Sequence, residues 1–298
     1  MTKLKIGVVG IPGAWSTEVL ADNIEARTGF RLVIDFADVK INLARGQAIY
    51  KDQDLCSFDA LIVKKVSKQY SPVSVDRLIA LEWINNQGVS VYSNPKNMGR
   101  LINRLGCTMA LSNADVPMPR TAITESIEHA MSVVQDYESC VLKPLFSTKA
   151  RGMCVLNHDD PALYDKLMDF QKENPVMYLQ QKLNLPGRDL GVMFLGDEYI
   201  GTYARVSQGE GWNTTTRDGG KYACHEPHVK TIEMARKARD CFDLTYTVVD
   251  VVEFENLDNN IIFEVSAFGG FRGAKEGCDM DIAELYVNYV IQQLEGKK

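Results

Sequence analysis

The sequence predicts an α/β chain that becomes α+β in its second half, and three observations carry that expectation. Near the start, short apolar runs alternate with helix-spaced segments, the pattern of a parallel sheet with covering helices. Later runs are joined by brief polar turns, the pattern of antiparallel hairpins. The 298 residues, 45% hydrophobic and 24% charged, suffice for a core divided over two or three subdomains.

Residues 5–10 (KIGVVG) form a buried-strand pattern that turns through Gly and Pro into a helix over 17–26. Further strands are expected at 30–39, 58–66 and 89–92, with a helix at 74–86 between the last two. Asn94-Pro95 ends this unit, since the residue before proline is pushed out of the helical region. A helix at 98–113 leads into Val116-Pro117-Met118-Pro119-Arg120-Thr121, a linker stiffened by two prolines. Helices at 126–135 and 161–172 flank a strand at 140–145, and strands follow at 176–182, 189–194 and 199–206, with a turn at Gly196-Asp197. A helix at 228–241, a hairpin at 248–265 and an amphipathic helix at 281–294 complete the chain. The expected divisions are 1–94, 95–180 and 181–298.

Net charge of −6, from 33 basic and 39 acidic side chains, argues against nucleic acid as a partner. No apolar stretch is long enough for a signal peptide or a membrane span, so no membrane partner is expected. Seven cysteines without a C-x-x-C pair suggest free thiols in a reducing, cytoplasmic setting. Cys224-His225-Glu226-Pro227-His228 has no partner cluster elsewhere and reads as a helix start rather than a metal site.

The hairpin carries the chemistry. Asp250 lies in its first strand, and Glu264 and Ser266, two apart, share one face of the second. If the strands pair about the Asn256–Asn260 turn, three oxygen ligands converge, a set suited to Mg²⁺ (or Mn²⁺) held jointly with nucleotide phosphates. The alternative is strand-end acids facing solvent. A nicotinamide-binding reading of the first strand with Asp35 is the rival, but Gly7, Gly10 and Gly13 are not spaced as G-x-G-x-x-G.

Five separated stretches resemble, in order, the ATP-grasp carboxylate–amine ligases of the RimK/LysX-like branch. They are the Pro-Met-Pro-Arg-Thr linker, Lys143-Pro144 with its loop, Gln180-Gln181 to Asp189, Ala204-Arg205-Val206, and Asp250 with Glu264-Val265-Ser266. Gly273-Ala274-Lys275 also resembles the signature of a GAK-system group of ATP-grasp proteins. The resemblance implies an ATP-grasp fold preceded by a parallel-sheet domain. It also implies ATP and Mg²⁺ as cofactors, a small-molecule or peptide carboxylate and an amine as partners, and an amide product of glutamate-type ligation formed through an acyl phosphate. A homo-oligomer is compatible with it.

By the same resemblance, Arg104 stands where the family has a phosphate-binding lysine, and Lys143 matches a second one. The loop after Lys143 keeps Gly152 of three family glycines, with Ser147 and Ala150 at the others, and Lys149 and Arg151 make it basic. Gln180, Gln181, Lys182 and Leu183 match the strand that meets adenine, and Asp189 a contact near the ribose, while Gly191 replaces a family arginine. Arg205 matches an arginine on the acceptor carboxylate, and Arg272 stands in a segment that implies a second anchor. Residues 209–221 match a substrate loop in which Thr215 replaces asparagine. Asp250 and Glu264 match the metal-binding acids, with Ser266 where asparagine is typical. These replacements also allow a nucleotide-binding regulatory protein that has lost turnover.

Overall fold

The computed structural model describes residues 4–148, 150–207 and 220–296. The chain runs β1 (Ile6–Val9), α1 (Trp15–Thr28), β2 (Val33–Ile34), then a small sheet of β3 (Lys40–Asn42), β4 (Gln47–Tyr50) and β5 (Gln53–Asp54). It continues through β6 (Ala60–Val63), α2 (Pro72–Asn86) and β7 (Ser90–Tyr92). Strands in the order β2-β1-β6-β7 form a wholly parallel sheet. β1 and β6 are buried on both faces, which is why they read as continuous apolar runs.

The expected strand at 30–39 shrinks to two residues, because Asp35 accepts the Ala37 amide at 3.0 Å and starts a 3-10 turn. That carboxylate is a local cap, which leaves the nicotinamide reading without its acid.

The helix expected over 98–113 is two helices, α3 (Pro95–Ile102) and α4 (Arg104–Asn113). Asn103 between them is extended and caps α4 by accepting the Leu105 amide at 2.9 Å. The helices meet so closely that a Cβ on Gly106 would lie 2.3 Å from the Arg100 carbonyl oxygen.

Thr121, expected in a linker, begins β8 (Thr121–Thr124), followed by α5 (Ile127–Tyr137), β9 (Ser139–Lys143), β10 (Cys154–Asn157), α6 (Leu163–Glu173) and β11 (Met177–Gln181). These strands make an antiparallel sheet, β10-β9-β11-β8, whose core of Ile127, Leu142, Leu167 and Leu179 is separate from the rest.

The last sheet contains β12 (Arg188–Leu195), β13 (Glu198–Val206), β14 (Lys221–Cys224), β15 (Tyr246–Val252) and β16 (Ile261–Val265), in the order β14-β13-β12-β15-β16. Helices α7 (Val229–Asp240), α8 (Arg272–Cys278) and α9 (Ile282–Glu295) cover it. The first and last sheets share two hydrophobic clusters, one joining Val9 and Leu61 to Val192 and Val251, the other Ile6 and Ile62 to Met193 and Tyr286. The small sheet, β10, β14 and α8 were not expected from the sequence.

The free-thiol expectation is corrected. Cys224 at the end of β14 and Cys278 at the end of α8 form a disulfide, with Cα atoms 4.7 Å apart, and five cysteines are free. The pairing follows from packing of α8 on β14, which a sequence separation of 54 conceals. Among the described residues, no helix is long and apolar enough to cross a membrane.

Candidate active site

The site lies where the central and last sheets face each other. In the hairpin, Asp250 sits directly opposite Glu264, so both carboxylates project from one face of the sheet. Asp189 is opposite Arg205 on the neighbouring strands, and Gly191 is opposite Asp250. The Arg205 Nε donates to the Asp189 carboxylate at 2.9 and 3.1 Å, and its Nη2 reaches Asp250 at 3.0 Å. Glycine at 191 is required by Tyr203, whose ring would lie 2.3 Å from any Cβ there. The arginine that the family resemblance implies at that position has no room.

Electrostatics follow from this crowding. Burial pushes the Asp250 carboxyl up to about 7; Arg205 pulls it down, while Asp189 and Glu264 push it further up. Burial pulls the Arg205 guanidinium down, but Asp250 and Asp189 outweigh it and hold its pKa well above the usual value.

From the other side, Arg104, the first residue of α4, donates to Glu264 Oε2 at 3.2 Å and to the Ser147 hydroxyl at 3.4 Å. Its guanidinium is 6.0 Å from the Tyr178 ring, and Tyr178 is the register partner of Lys143. The Lys143 ammonium donates to Gln180 Oε1 and stands 5.5 Å over the Phe263 ring. Burial lowers the Lys143 pKa to about 7; Arg104 lowers it further, and Glu264 opposes. Ala150 and Gly152 in the following loop both have left-handed φ, 55° and 68°. Lys149 lies outside the described residues.

Gln180 is only 2% exposed and also donates to Thr121 Oγ1 and Tyr178 Oη, so its side chain belongs to the Lys143 network. The amides of Gln181 and Lys182 donate to the carbonyls of Arg120 and Ser139, and Leu183 follows the strand. Ser266 is fixed through its backbone, its amide donating to Val248 and its carbonyl accepting from Thr247 Oγ1.

Arg272 stands apart. It is 63% exposed, paired with Glu276 at 3.6 Å and 5.9 Å from the Trp15 ring. Of the loop assigned to substrate, residues 209–219, with Thr215, lie outside the described residues, and its last residue, Lys221, begins β14. His225 Nε2 donates to the Glu253 carboxylate at 3.1 Å, and Glu253 also takes the His228 amide, so this cluster pins the start of α7.

Among the described residues no group of three or more His, Cys, Asp or Glu could hold a metal by itself. Two facing carboxylates fit Mg²⁺, which keeps much of its coordination for water and phosphate oxygens. Sequence reasoning missed Phe263 and Tyr70, whose buried hydroxyl is pushed up in pKa by burial and by Glu264. Their spacing is that of ordinary core residues.

Comparison with known proteins fits this geometry. A RimK-like ATP-grasp domain profile matches residues 102–290. The tetrahydromethanopterin:alpha-L-glutamate ligase of Methanocaldococcus jannaschii is 25% identical over 224 residues, covering 74% of this chain and 76% of that protein. The alpha-aminoadipate–LysW ligase LysX of Saccharolobus solfataricus is 26% identical over 202 residues, covering 64% and 70%. The ATP-grasp ligase PsnB, solved with a phosphomimetic variant of its minimal precursor, Mg and ADP, shares the fold with a TM-score of 0.75 at 17% identity, over 98% of this chain and 99% of PsnB. The chain belongs to the RimK-like ATP-grasp family and is an ATP-dependent ligase of the carbon–nitrogen type.

Proposed function

We propose that the chain joins a carboxylate to an amine, the amine being an amino acid of glutamate type, with ATP as the energy source and ADP and phosphate as products. The observation that carries this reading is the continuous cluster of Arg205, Asp250, Glu264, Arg104 and Ser147, with Lys143 beside it. A carboxylate oxygen attacks the γ-phosphorus, the bond to the bridging oxygen breaks, and ADP leaves. The amine then attacks the acyl carbon, phosphate leaves with the C–O electrons, and the amine loses a proton.

Lys143, Arg104 and the 147–152 loop are suited to the phosphates, by charge and by backbone amides. Asp250 and Glu264, with Ser266, would hold Mg²⁺, which neutralises phosphate charge when bound. Gln181 to Leu183 border the adenine, and Asp189 the ribose. Arg205 would meet the carboxylate and the oxyanion formed from it. The names of the relatives support a glutamate-type amine.

The test uses a carboxylate labelled with ¹⁸O on both oxygens. This reading predicts that the released phosphate carries one ¹⁸O; unlabelled phosphate released alongside an amide would overturn the acyl-phosphate route. A second reading, nucleotide binding without turnover, draws on the Arg104–Glu264 and Arg205–Asp250 pairs, which engage both candidate metal acids. Tight ATP binding with no phosphate released under any substrate pair would favour it.

A further inference from the structure

Lys64 follows β6 directly, and its amide donates to the Val9 carbonyl at 2.8 Å, continuing the parallel sheet by one residue. Its side chain turns inward and the residue is 7% exposed. The ammonium donates to the Phe268 carbonyl at 2.8 Å and to the Gly269 carbonyl at 2.8 Å, more than 200 residues away in sequence. It also stands 4.4 Å from the Phe271 ring centroid. The next carbonyl, of Gly270, accepts the Tyr246 hydroxyl at 3.0 Å, and the Tyr246 ring packs edge-on against Phe271 at 5.4 Å.

Three successive carbonyls in a stretch without helix or strand are thus all satisfied by side chains. Gly269 fits against Tyr246 only because it lacks a Cβ, which would lie 2.5 Å from that ring. On one side the stretch begins at Ser266, two residues after Glu264; on the other it ends at Arg272, the first residue of α8. Tyr70, also from the N-terminal sheet region, packs against Phe268 at 6.1 Å.

A buried ammonium is costly. Burial, with Lys65 adjacent, lowers the Lys64 pKa to about 7. The neutral amine keeps two N–H donors, one for each carbonyl, so both charge states hold the stretch.

We propose that Lys64 is a positioning residue: from the N-terminal sheet it fixes the 266–272 stretch, and so sets Ser266, the residue assigned with Asp250 and Glu264 to the metal. This rests on the ligase reading above. The nucleotide-facing candidates, Lys143, Arg104 and Gln180, are held by contacts that do not include this stretch. The metal end of the site, at Ser266, is therefore where the loss of Lys64 is felt.

The experiment compares the full chain with Lys64→Met, which keeps the length of the stem and removes the donors. Amide hydrogen exchange across 266–278 is expected to speed up by about tenfold or more, with exchange in β1 and β12 unchanged. In ADP release, the Mg²⁺ concentration for half-maximal rate is expected to rise about tenfold while metal-free ADP affinity stays within about twofold. Unchanged exchange overturns the proposal, as does an equal loss of metal-free ADP affinity and of Mg²⁺ dependence. Faster exchange with an unchanged Mg²⁺ dependence overturns its metal part. If Lys64→Met does not fold, Lys64→Gln, with a shorter neutral donor, is read by the same criteria. Where the wild-type chain shows no stimulated release, the ligase reading fails, and exchange still decides the clamp.

Discussion

Arg104 Nη1 lies 3.2 Å from Glu264 Oε2, joining the start of α4 to the last strand of the C-terminal sheet. Arg205 and Asp250 repeat the arrangement at 3.0 Å. Asp250 and Glu264 face each other across paired strands, and two carboxylates so placed repel unless cations neutralise them. Here each has its own arginine. Binding of a metal–nucleotide complex at these acids would be an exchange of partners, with the arginines released toward phosphate and acceptor oxygens.

Removing Arg104 therefore has two expected effects. Its side chain is 9% exposed and that of Glu264 is 34%, so the pair lies between the surface and buried cases. Arg104→Met is expected to lower stability without ligand by about 1–3 kcal/mol, measured by urea unfolding. Nucleotide affinity should also fall, about tenfold or more by calorimetry. Unchanged affinity would remove Arg104 from the phosphate side.

Lys143 gives a pH prediction. Its folded pKa is lowered from 10.5 to about 7, so the folded chain binds fewer protons than the unfolded chain between those values. Its contribution to stability is present above 10.5 and is lost as pH falls toward 7. A bound phosphate restores the charge, so metal-free ADP binding at about pH 8 should take up close to one proton. Calorimetry in buffers of different ionisation enthalpy measures the uptake, which Lys143→Met should abolish. Equal uptake in both proteins would contradict the assignment.

The loop after Lys143 holds Ala150 at φ 55°, a conformation that costs a side chain about 1–2 kcal/mol. Ala150→Gly is expected to leave thermal stability unchanged or raise it. Gly152→Ala places a Cβ at positive φ and 3.1 Å from Pro144 Cγ, and should destabilise by about 1–2 kcal/mol. Differential scanning fluorimetry separates the two, and equal effects would contradict the loop geometry.

The Cys224–Cys278 pair predicts five reactive thiols of seven in denaturant without reductant. Cys278→Ser should cost about 2–4 kcal/mol under oxidising conditions and little under reducing ones. Seven reactive thiols would show that the two cysteines are not joined.

Much of this was legible because it is local. Continuous apolar runs mark β1 and β6, and two apolar runs about a polar turn put Asp250 on the face shared by Glu264 and Ser266. What stayed hidden depends on distant partners. Residues 98–113 keep helical spacing throughout, and only the approach of α3 to α4 at Gly106, with Asn103 free to cap, divides them. β14 is short and largely exposed, so it carries no apolar signature. Lys64 looks like any strand-end lysine until its two carbonyls arrive from residues 268 and 269. Arg272 shows the converse: a sequence match placed it with the acceptor, and its contacts are with Glu276 and Trp15 at the protein surface.

The most direct measurement is ADP release from ATP and Mg²⁺, with L-glutamate and other amino acids screened against a panel of carboxylic acids and acidic peptides. Asp250→Ala and Glu264→Ala serve as controls. The ligase account predicts release that one carboxylate–amine pair stimulates, with an amide formed for each ADP, and loss of both in the two variants. ATP binding with no pair stimulating release, or stimulated release that survives both substitutions, would contradict it.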